Sequence, residues 1–178
     1  MQIPGLGPVV EDTELGWYRS EPVAVPVLGG ALCRIVLDGY GDDQRQEDFH
    51  EAIRTFRTLD PSVLTAATPA IFAYYRDVMN DVVTAGDHDW YVEIEGSRNV
   101  LDHVRLGGEP IVSRDAYGDR RVYVSLECEC DWELEHGLQI VFRDGRLVTK
   151  VGPYDGHLTN SAAFADDDLD GVVYHRLH

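Results

Sequence analysis

The stretch RVYVSLECECDWE, residues 121–133, alternates apolar and polar side chains with the period of a half-buried β-strand. The face predicted to point into the core carries Val122, Val124, Leu126, Cys128, Cys130 and Trp132. The opposite face carries Tyr123, Ser125, Glu127, Glu129, Asp131 and Glu133. The pattern predicts a strand that buries two thiols as small apolar groups and presents four carboxylates outward. We expect it to turn at His136-Gly137 into the next strand.

Further strands are predicted on both sides of this stretch. Asp144-Gly145 separates two apolar runs and is the strongest hairpin signal in the chain. Among the first 40 residues, Pro22 and Pro26 interrupt a β-prone segment, which is typical of an edge strand. After residue 90 the predicted strands cover 100–106, 110–113, 121–132, 137–143 and 147–152.

Residues 43–86 predict two consecutive helices, because their apolar side chains recur at helical spacing. Asp43 and Gln46 have the spacing of a capping box at the start of the first helix. Asp60-Pro61 supplies an N-cap and a first-turn proline for the second helix. Pro69 lies inside that second helix and is expected to kink it or to split it at the preceding residue.

These elements combine into an α+β fold that we expect to form a single domain over residues 1–178. The domain would contain N-terminal strands at 1–40, the helical pair at 43–86 and a C-terminal β-meander at 90–178. The sheet is expected to be largely antiparallel, with the two consecutive helices packed on one side of it.

The chain is strongly acidic, since 32 Asp and Glu residues against 15 Lys and Arg residues give a formal net charge of −17. This charge disfavours nucleic acid and anionic membranes as partners and favours a basic protein or divalent cations, unless it serves only solubility. The three cysteines form an odd number, and neither a signal-peptide pattern nor a long apolar run is present. We therefore expect a cytoplasmic protein; the sequence leaves its oligomeric state open.

Four like charges on one strand face repel one another, so something should compensate them. Cross-strand arginines could compensate these charges in a purely structural role. The candidates are Arg120, Arg121, Arg143 and Arg146. The functional alternatives are a divalent cation held by carboxylate oxygens and a basic partner protein. In the second case the partner-binding residues are predicted to be Glu127, Glu129, Asp131 and Glu133.

Two short segments, 133–136 and 155–157, hold residue types that bind metals. These residues are Glu133, Glu135, His136, Asp155 and His157. Their spacing matches no zinc or calcium motif, so no cofactor is expected, and a divalent metal is kept only as an alternative. Tyr154 and His157 lie between turn-forming residues, where they would serve either as exposed recognition residues or as groups that close the turn.

The sequence contains no recognisable catalytic motif. It lacks a Gly-x-Ser-x-Gly nucleophile elbow and a phosphate-binding glycine loop. Cys128 and Cys130, if buried as predicted, would keep a high pKa and remain unreactive. Whether the protein is an enzyme stays uncertain, and a non-catalytic role is favoured.

Two motifs in the second half of the chain are distinctive: CDWELEHGLQ at 130–139 and VGPYDGHLT at 151–159. Through them, residues from about Asn99 to Asn160 resemble a bacterial family of uncharacterised domains, in which such an acidic, cysteine-containing strand is followed by a hairpin and such a turn. Leu134 departs from the polar or turn-forming residue expected at its position. The resemblance carries no catalytic residues with it; similar small acidic proteins are associated with immunity to bacterial toxins.

The net charge, the two motifs and the acidic strip, which consists of Glu127, Glu129, Asp131 and Glu133, suggest two functions from different classes. The favoured one is a non-catalytic acidic binding protein, in its sharpest form an immunity or inhibitor protein that masks a basic toxin. The alternative is a divalent-metal-binding domain or metal-dependent hydrolase that uses the segments 133–136 and 155–157.

Overall fold

The computed structural model describes residues 1–176, which form a large mixed sheet, a separate hairpin and three α-helices. The strands are β1 (Gln2–Ile3), β2 (Gly7–Asp12), β3 (Trp17–Ser20), β4 (Val23–Val25), β5 (Ala31–Cys33), β6 (Val36–Leu37), β7 (Val104–Arg105), β8 (Ile111–Arg114), β9 (Val122–Cys130), β10 (Glu133–Arg143) and β11 (Leu147–Gly152). The helices are α1 (Gln46–Phe56), α2 (Ser62–Ala85) and α3 (Asn160–Phe164). Short 3₁₀ turns cover Pro26–Leu28, His88–Trp90, Val100–His103 and Asp167–Leu169.

The large sheet has the strand order β1-β2-β3-β6-β8-β9-β10-β11, and β7 pairs with the distal end of β9. Within the described residues its paired strands are antiparallel except for β6 and β8, which run parallel. This pair is parallel because the chain between its strands crosses over through α1 and α2 instead of reversing in a tight turn. The α+β class and the largely antiparallel sheet are confirmed; the parallel pair was not predicted.

β9 shows the predicted alternation, but only its second half has an exposed face. Its core-facing residues are buried from Val122 to Cys130. On the other face Glu127 and Glu129 are exposed, whereas Tyr123 and Ser125 are buried. The first half of β9 is therefore covered on both sides.

α1 and α2 pack against the core face of this sheet, as predicted. Phe49, Ile53 and Phe56 of α1 are fully buried, and the Phe56 ring meets the Phe142 ring of β10 edge-on with 5.2 Å between centroids. Each such side chain contributes roughly 1.5–3 kcal/mol by leaving water. The apolar spacing of residues 43–86 therefore does position the helical layer.

The start of α1 differs from the prediction. The helix begins at Gln46, and the N-cap residue Arg45 makes no side-chain capping bond. Asp43 pairs instead with Arg114 of β8, with 2.6 Å between Oδ2 and Nε, and the hydrogen bond from Arg114 holds the pKa of that carboxyl below its usual range. The capping-box prediction is wrong: Asp43 lies before the N-cap residue, where its carboxylate also accepts the Arg45 amide proton at 2.7 Å, and the Gln46 side chain donates to the Tyr40 carbonyl oxygen at 2.9 Å.

α2 runs without a break from Ser62 to Ala85, although Pro69 lies inside it. Proline lacks the amide proton that would bond to the carbonyl of Thr65. The Thr68 hydroxyl donates to that carbonyl oxygen instead, at 2.8 Å. The predicted split therefore does not occur. Even α2, like the other helices of residues 1–176, lacks the combination of length and apolar composition needed to cross a membrane.

Candidate binding groove

A wide bulge in β10 shapes the surface beside the acidic end of β9. Four residues of β10, 134–137, lie opposite the single residue Glu129 of β9. Gly137 returns the chain to regular pairing: its φ is 60°, and a Cβ atom there would overlap the carbonyl oxygen of Cys128. Bulges of this kind re-aim side chains out of the sheet.

The chain reversal between β9 and β10 occurs at Asp131-Trp132, where a two-residue turn precedes the first β10 residue, Glu133. The prediction of a turn at His136-Gly137 is wrong because the bulge contains those residues. Glu133 holds the bulge in place, since its Oε1 accepts the amide protons of Glu135 and His136 at 2.9 and 3.1 Å. The Glu133 carboxylate thus forms hydrogen bonds with the backbone of the bulge.

The bulge forms one wall of a groove of about 680 Å³ on the sheet face opposite the helices. Val36 and Ile111, which are register partners in the parallel pair, give it an apolar lining, and Trp17 and Tyr154 add two aromatic rings. The carboxylates that line it are Glu109, Glu127, Glu129 and Glu135. Its volume falls in the range of ligand sites in proteins, and its charge attracts cations.

Part of the predicted acidic strip is neutralised by β7. Arg105 of that strand binds Glu129 at 2.8 Å and Asp131 at 3.3 Å. His103 adds a contact of 3.1 Å between its Nδ1 and the Asp131 carboxylate. Within residues 1–176, Glu109, Glu127 and Glu135 form no ion pair, so they are the uncompensated charges of the groove.

The arginines expected to compensate the strip lie elsewhere. Arg143 is the register partner of Tyr123, which precedes Glu129 by six residues on β9. Six residues of strand correspond to about 20 Å, so these arginines belong to the other end of the hairpin. The prediction of compensation by Arg120, Arg121, Arg143 and Arg146 is therefore wrong, and Arg105 takes that role.

The turn after β11 is built around a buried lysine. Lys150, the single lysine of the sequence, has only 1% of its side chain exposed. Its Nζ donates to Gln139 Oε1 at 2.7 Å and to the His157 carbonyl oxygen at 3.1 Å, and it forms an ion pair with Asp155. Asp155 also accepts the amide proton of His157 at 2.8 Å. Asp155 and the backbone of His157 therefore complete the hydrogen bonding of Lys150.

Sequence reasoning did not assign a role to Lys150. Burial lowers the pKa of its ammonium group, and the hydrogen bond and charge of Asp155 oppose that change. The network continues to β9, because Gln139 Nε2 donates to the Ser125 hydroxyl at 3.0 Å, which explains why Ser125 is buried. The available signal was a lone lysine inside the apolar run of β11.

The two candidate segments meet through one backbone hydrogen bond. The Tyr154 amide donates to the His136 carbonyl oxygen at 3.1 Å, which brings the turn after β11 against the bulge. Burial raises the pKa of the Tyr154 hydroxyl, and the charges of Glu127 and Asp155 add to that effect. Tyr154 and His136 thus line the groove, whereas Asp155 holds Lys150.

The described residues show neither a metal cluster nor an accessible thiol. Among residues 1–176, no three His, Cys, Asp or Glu side chains come together in a way that could hold a metal ion. The three cysteines are free and buried. Burial raises the pKa of Cys128 to about 11 and that of Cys130 to about 12, so both remain protonated near neutral pH.

The fold and groove define an acidic α+β domain, in which two helices cover one face of a mostly antiparallel sheet and a groove opens on the other. The chain belongs to the family described as a domain of unknown function, DUF6985, whose model matches residues 5–158. The match extends from the N-terminal strands to the turn after β11 and agrees with the expectation of an uncharacterised domain family. Searches of curated proteins and of solved structures found no match.

Proposed function

We propose that this protein is a non-catalytic binding protein whose groove takes a basic segment of a partner protein. The observation that carries the proposal is the groove itself, in which three unpaired carboxylates, Glu109, Glu127 and Glu135, lie beside the aromatic rings of Trp17 and Tyr154. Exposed acids alone would indicate only a solvated surface. Their combination with an apolar and aromatic lining supports binding.

Lysine and arginine side chains match this lining chemically. Their charged ends would pair with the carboxylates, while their aliphatic stems would cover Ile111 and Leu134. The faces of Trp17 and Tyr154 add attraction for a cation. The net charge of −17 would also accelerate the approach of a basic protein at low ionic strength.

The sharper form of the proposal is an immunity or inhibitor protein that masks a basic toxin. It is supported by the acidity of the chain and by the resemblance carried by CDWELEHGLQ and VGPYDGHLT. Such a protein needs a rigid surface and no chemistry of its own. The bulge meets this need, because Glu133 and Gly137 fix its conformation.

The test is calorimetric titration of the full chain with an oligolysine peptide. Glu127→Gln combined with Glu135→Gln should weaken binding at least about tenfold, because two of the three unpaired carboxylates of the groove are neutralised. The control is Asp89→Asn combined with Glu95→Gln, which changes the net charge equally at exposed, unpaired residues that do not line the groove. Equal weakening in both double variants would mean that only the overall charge attracts the peptide, and the proposal would fail.

The immunity form is tested separately with a natural partner. A protein retained by the immobilised chain from a lysate of its source should be basic, and its purified form should lose affinity for the groove variant but not for the control variant. Its production should inhibit growth, and co-production of the wild-type chain should restore growth. A partner that binds both double variants equally would contradict the assignment of the groove.

A further inference from the structure

A second groove, at the end of the β9–β10 hairpin away from the bulge, gathers positive charge. Its volume is about 650 Å³, and it lies where α1 meets the start of β9 and the β10–β11 turn. The arginines that line it within residues 1–176 are Arg45, Arg120, Arg121, Arg143 and Arg146. They are five of only 14 arginines in a chain of net charge −17, so solubility does not account for their clustering.

Two of these arginines are already paired with carboxylates of the chain. Arg121 binds Asp144 at 2.6 Å and lies 3.7 Å from Asp119. Arg45 lies 3.5 Å from Asp48. These pairs form the sides of the groove and use the charge of both guanidinium groups.

The other three arginines have no carboxylate partner in the described part of the chain. The guanidinium of Arg120 donates to the Ala116 carbonyl oxygen at 3.4 Å, and Arg143 and Arg146 form no ion pair. In total five guanidinium groups face four carboxylates in this groove. The groove therefore carries excess positive charge in a molecule whose charge is otherwise negative.

Two of the unpaired arginines are anchored on a rigid turn. Arg143 and Arg146 flank the two-residue turn Asp144-Gly145, whose φ angles are 53° and 64°, and the Arg146 amide donates to the Arg143 carbonyl oxygen at 3.0 Å. A Cβ atom at Gly145 would overlap the carbonyl oxygen of Ala52 in α1. This close approach fixes the turn against the helix, so the backbones of both arginines are held in place.

We propose that this groove binds a phosphate group, free or as a monoester, with Arg143 and Arg146 as the principal contacts and Arg120 beside them. A guanidinium group offers paired N–H donors that match two oxygens of a phosphate. A phosphate dianion takes two such groups, whereas a monocarboxylate is satisfied by one. Three unpaired guanidinium groups around one groove therefore fit phosphate better than carboxylate.

The test is titration of the full chain with inorganic phosphate, with phosphoserine amide and with acetate. Saturable binding of one phosphate per chain is expected, and Arg143→Gln combined with Arg146→Gln should raise the Kd at least about tenfold. The control, Arg76→Gln combined with Arg98→Gln, removes the same charge from exposed and unpaired residues elsewhere and should leave the Kd unchanged. Tighter binding of phosphoserine amide would identify a monoester as the ligand, and tighter binding of phosphate would identify the free anion.

Three results would overturn the proposal: no saturable phosphate binding by the wild-type chain, acetate binding of equal strength, or equal loss in the control. Circular dichroism checks that the variants fold, and Arg146→Gln alone, at an exposed residue, gives a second variant with little structural risk. Neutralising the first groove by Glu127→Gln and Glu135→Gln should leave phosphate binding intact. The proposal of a basic partner and the proposal of a phosphate site therefore fail or succeed independently.

Discussion

Lys150 and Asp155 form an ion pair in which the lysine side chain is 1% exposed and the aspartate side chain is 31% exposed. The ammonium group thus bears nearly all of the desolvation, while the carboxylate stays in contact with water. Because Asp155 belongs to the turn that carries Tyr154, the pair fastens one wall of the acidic groove to β11. The buried ammonium group of Lys150 therefore determines the position of the turn after β11.

Removal of the Asp155 charge should destabilise the protein more than removal of the Lys150 charge. Asp155→Asn leaves a buried ammonium without a counter-charge, which we expect to lower the free energy of unfolding by about 2–3 kcal/mol, less than for a fully buried pair because Asp155 is partly exposed. Lys150→Met removes the charge itself and should have a smaller effect. Urea denaturation measures both, with Asp170→Asn at an exposed, unpaired residue as the control. If the Asp155→Asn variant is as stable as the Asp170→Asn control, this account is contradicted.

The stability of the protein should fall as the pH rises above about 9. Burial raises the pKa of Cys128 to about 11 and that of Cys130 to about 12, from an ordinary value of 9.0. Between those values the unfolded chain has released thiol protons that the folded chain retains, so this contribution to stability is complete below pH 9 and is lost as the pH rises through 11 to 12. Burial raises the pKa of Tyr74 and Tyr123 as well, with the same sign. The lowered pKa of Lys150 has the opposite effect on stability and offsets part of this loss.

Urea unfolding at several pH values measures this dependence, and thiol labelling gives an independent reading. Near pH 8 the native protein should leave all three cysteines unlabelled by a disulfide reagent, and unfolding should expose all three. Rapid labelling of the native protein would show that the thiols are accessible and would contradict the burial on which the pH dependence rests.

Gly137→Ala should disrupt the bulge, whereas Gly156→Ala should not affect it. Both glycines have positive φ, 60° and 78°, so each substitution carries backbone strain of about 1 kcal/mol. Only at Gly137 would the new Cβ also overlap a backbone atom, the Cys128 carbonyl oxygen, while Gly156 has open space around it. We expect Gly137→Ala to lower the free energy of unfolding by at least about 1 kcal/mol more than Gly156→Ala. Equal effects in chemical denaturation would show that the close approach is not maintained in solution.

The hydroxyl of Thr68 should matter only while residue 69 is proline. Thr68→Val removes the donor to the Thr65 carbonyl oxygen and should lower the free energy of unfolding by about 1–2 kcal/mol. In a Pro69→Ala background the amide of residue 69 can bond to the same oxygen, so Thr68→Val should have a smaller effect. A double-mutant cycle by urea denaturation measures the difference. A coupling energy near zero would mean that the hydroxyl does not replace the amide.

Arg105→Gln should strengthen the binding of a basic peptide without lowering stability much. The substitution releases Glu129 and Asp131 from an ion-pair cluster that is exposed to solvent and therefore contributes little to folding. It also makes the acidic groove more negative. The association rate for oligolysine, measured by stopped flow, should rise at low salt, and the gain should shrink as salt is added. An unchanged rate would indicate that the peptide binds away from Glu129.

The core of the fold was predictable from the sequence because local periodicity determines it. The alternation along β9 identifies the buried side chains from Val122 to Cys130, and the helical spacing of Phe49, Ile53 and Phe56 identifies the layer that covers them. The turn Asp144-Gly145 follows from the conformations that its residues tolerate, and both do have positive φ. These features depend on neighbours along the chain.

The candidate site was less predictable because it depends on contacts between distant segments. The strand periodicity of Glu127 and Glu129 shows that they are exposed, but not that Arg105, 24 residues away from Glu129, neutralises one of them. The bulge at 134–137 arises where regular pairing resumes at Leu138, which is a property of two strands together. Lys150 is recognisable as buried only once Gln139 and Asp155 are seen around it.

The bulge of β10 also has a consequence for how this domain can diversify. Its four residues are enclosed between two registered stretches of the same strand pair, so the inside and outside faces of β10 after Leu138 do not depend on how many residues the bulge contains. Exchanges of the side chains at 134–136 would leave the strand pairing and the core unchanged, because the bulge is held through its backbone amides. The exposed side chains of Leu134, Glu135 and His136 can therefore change, and with them the binding specificity of the groove, without a change in the residues that determine the fold.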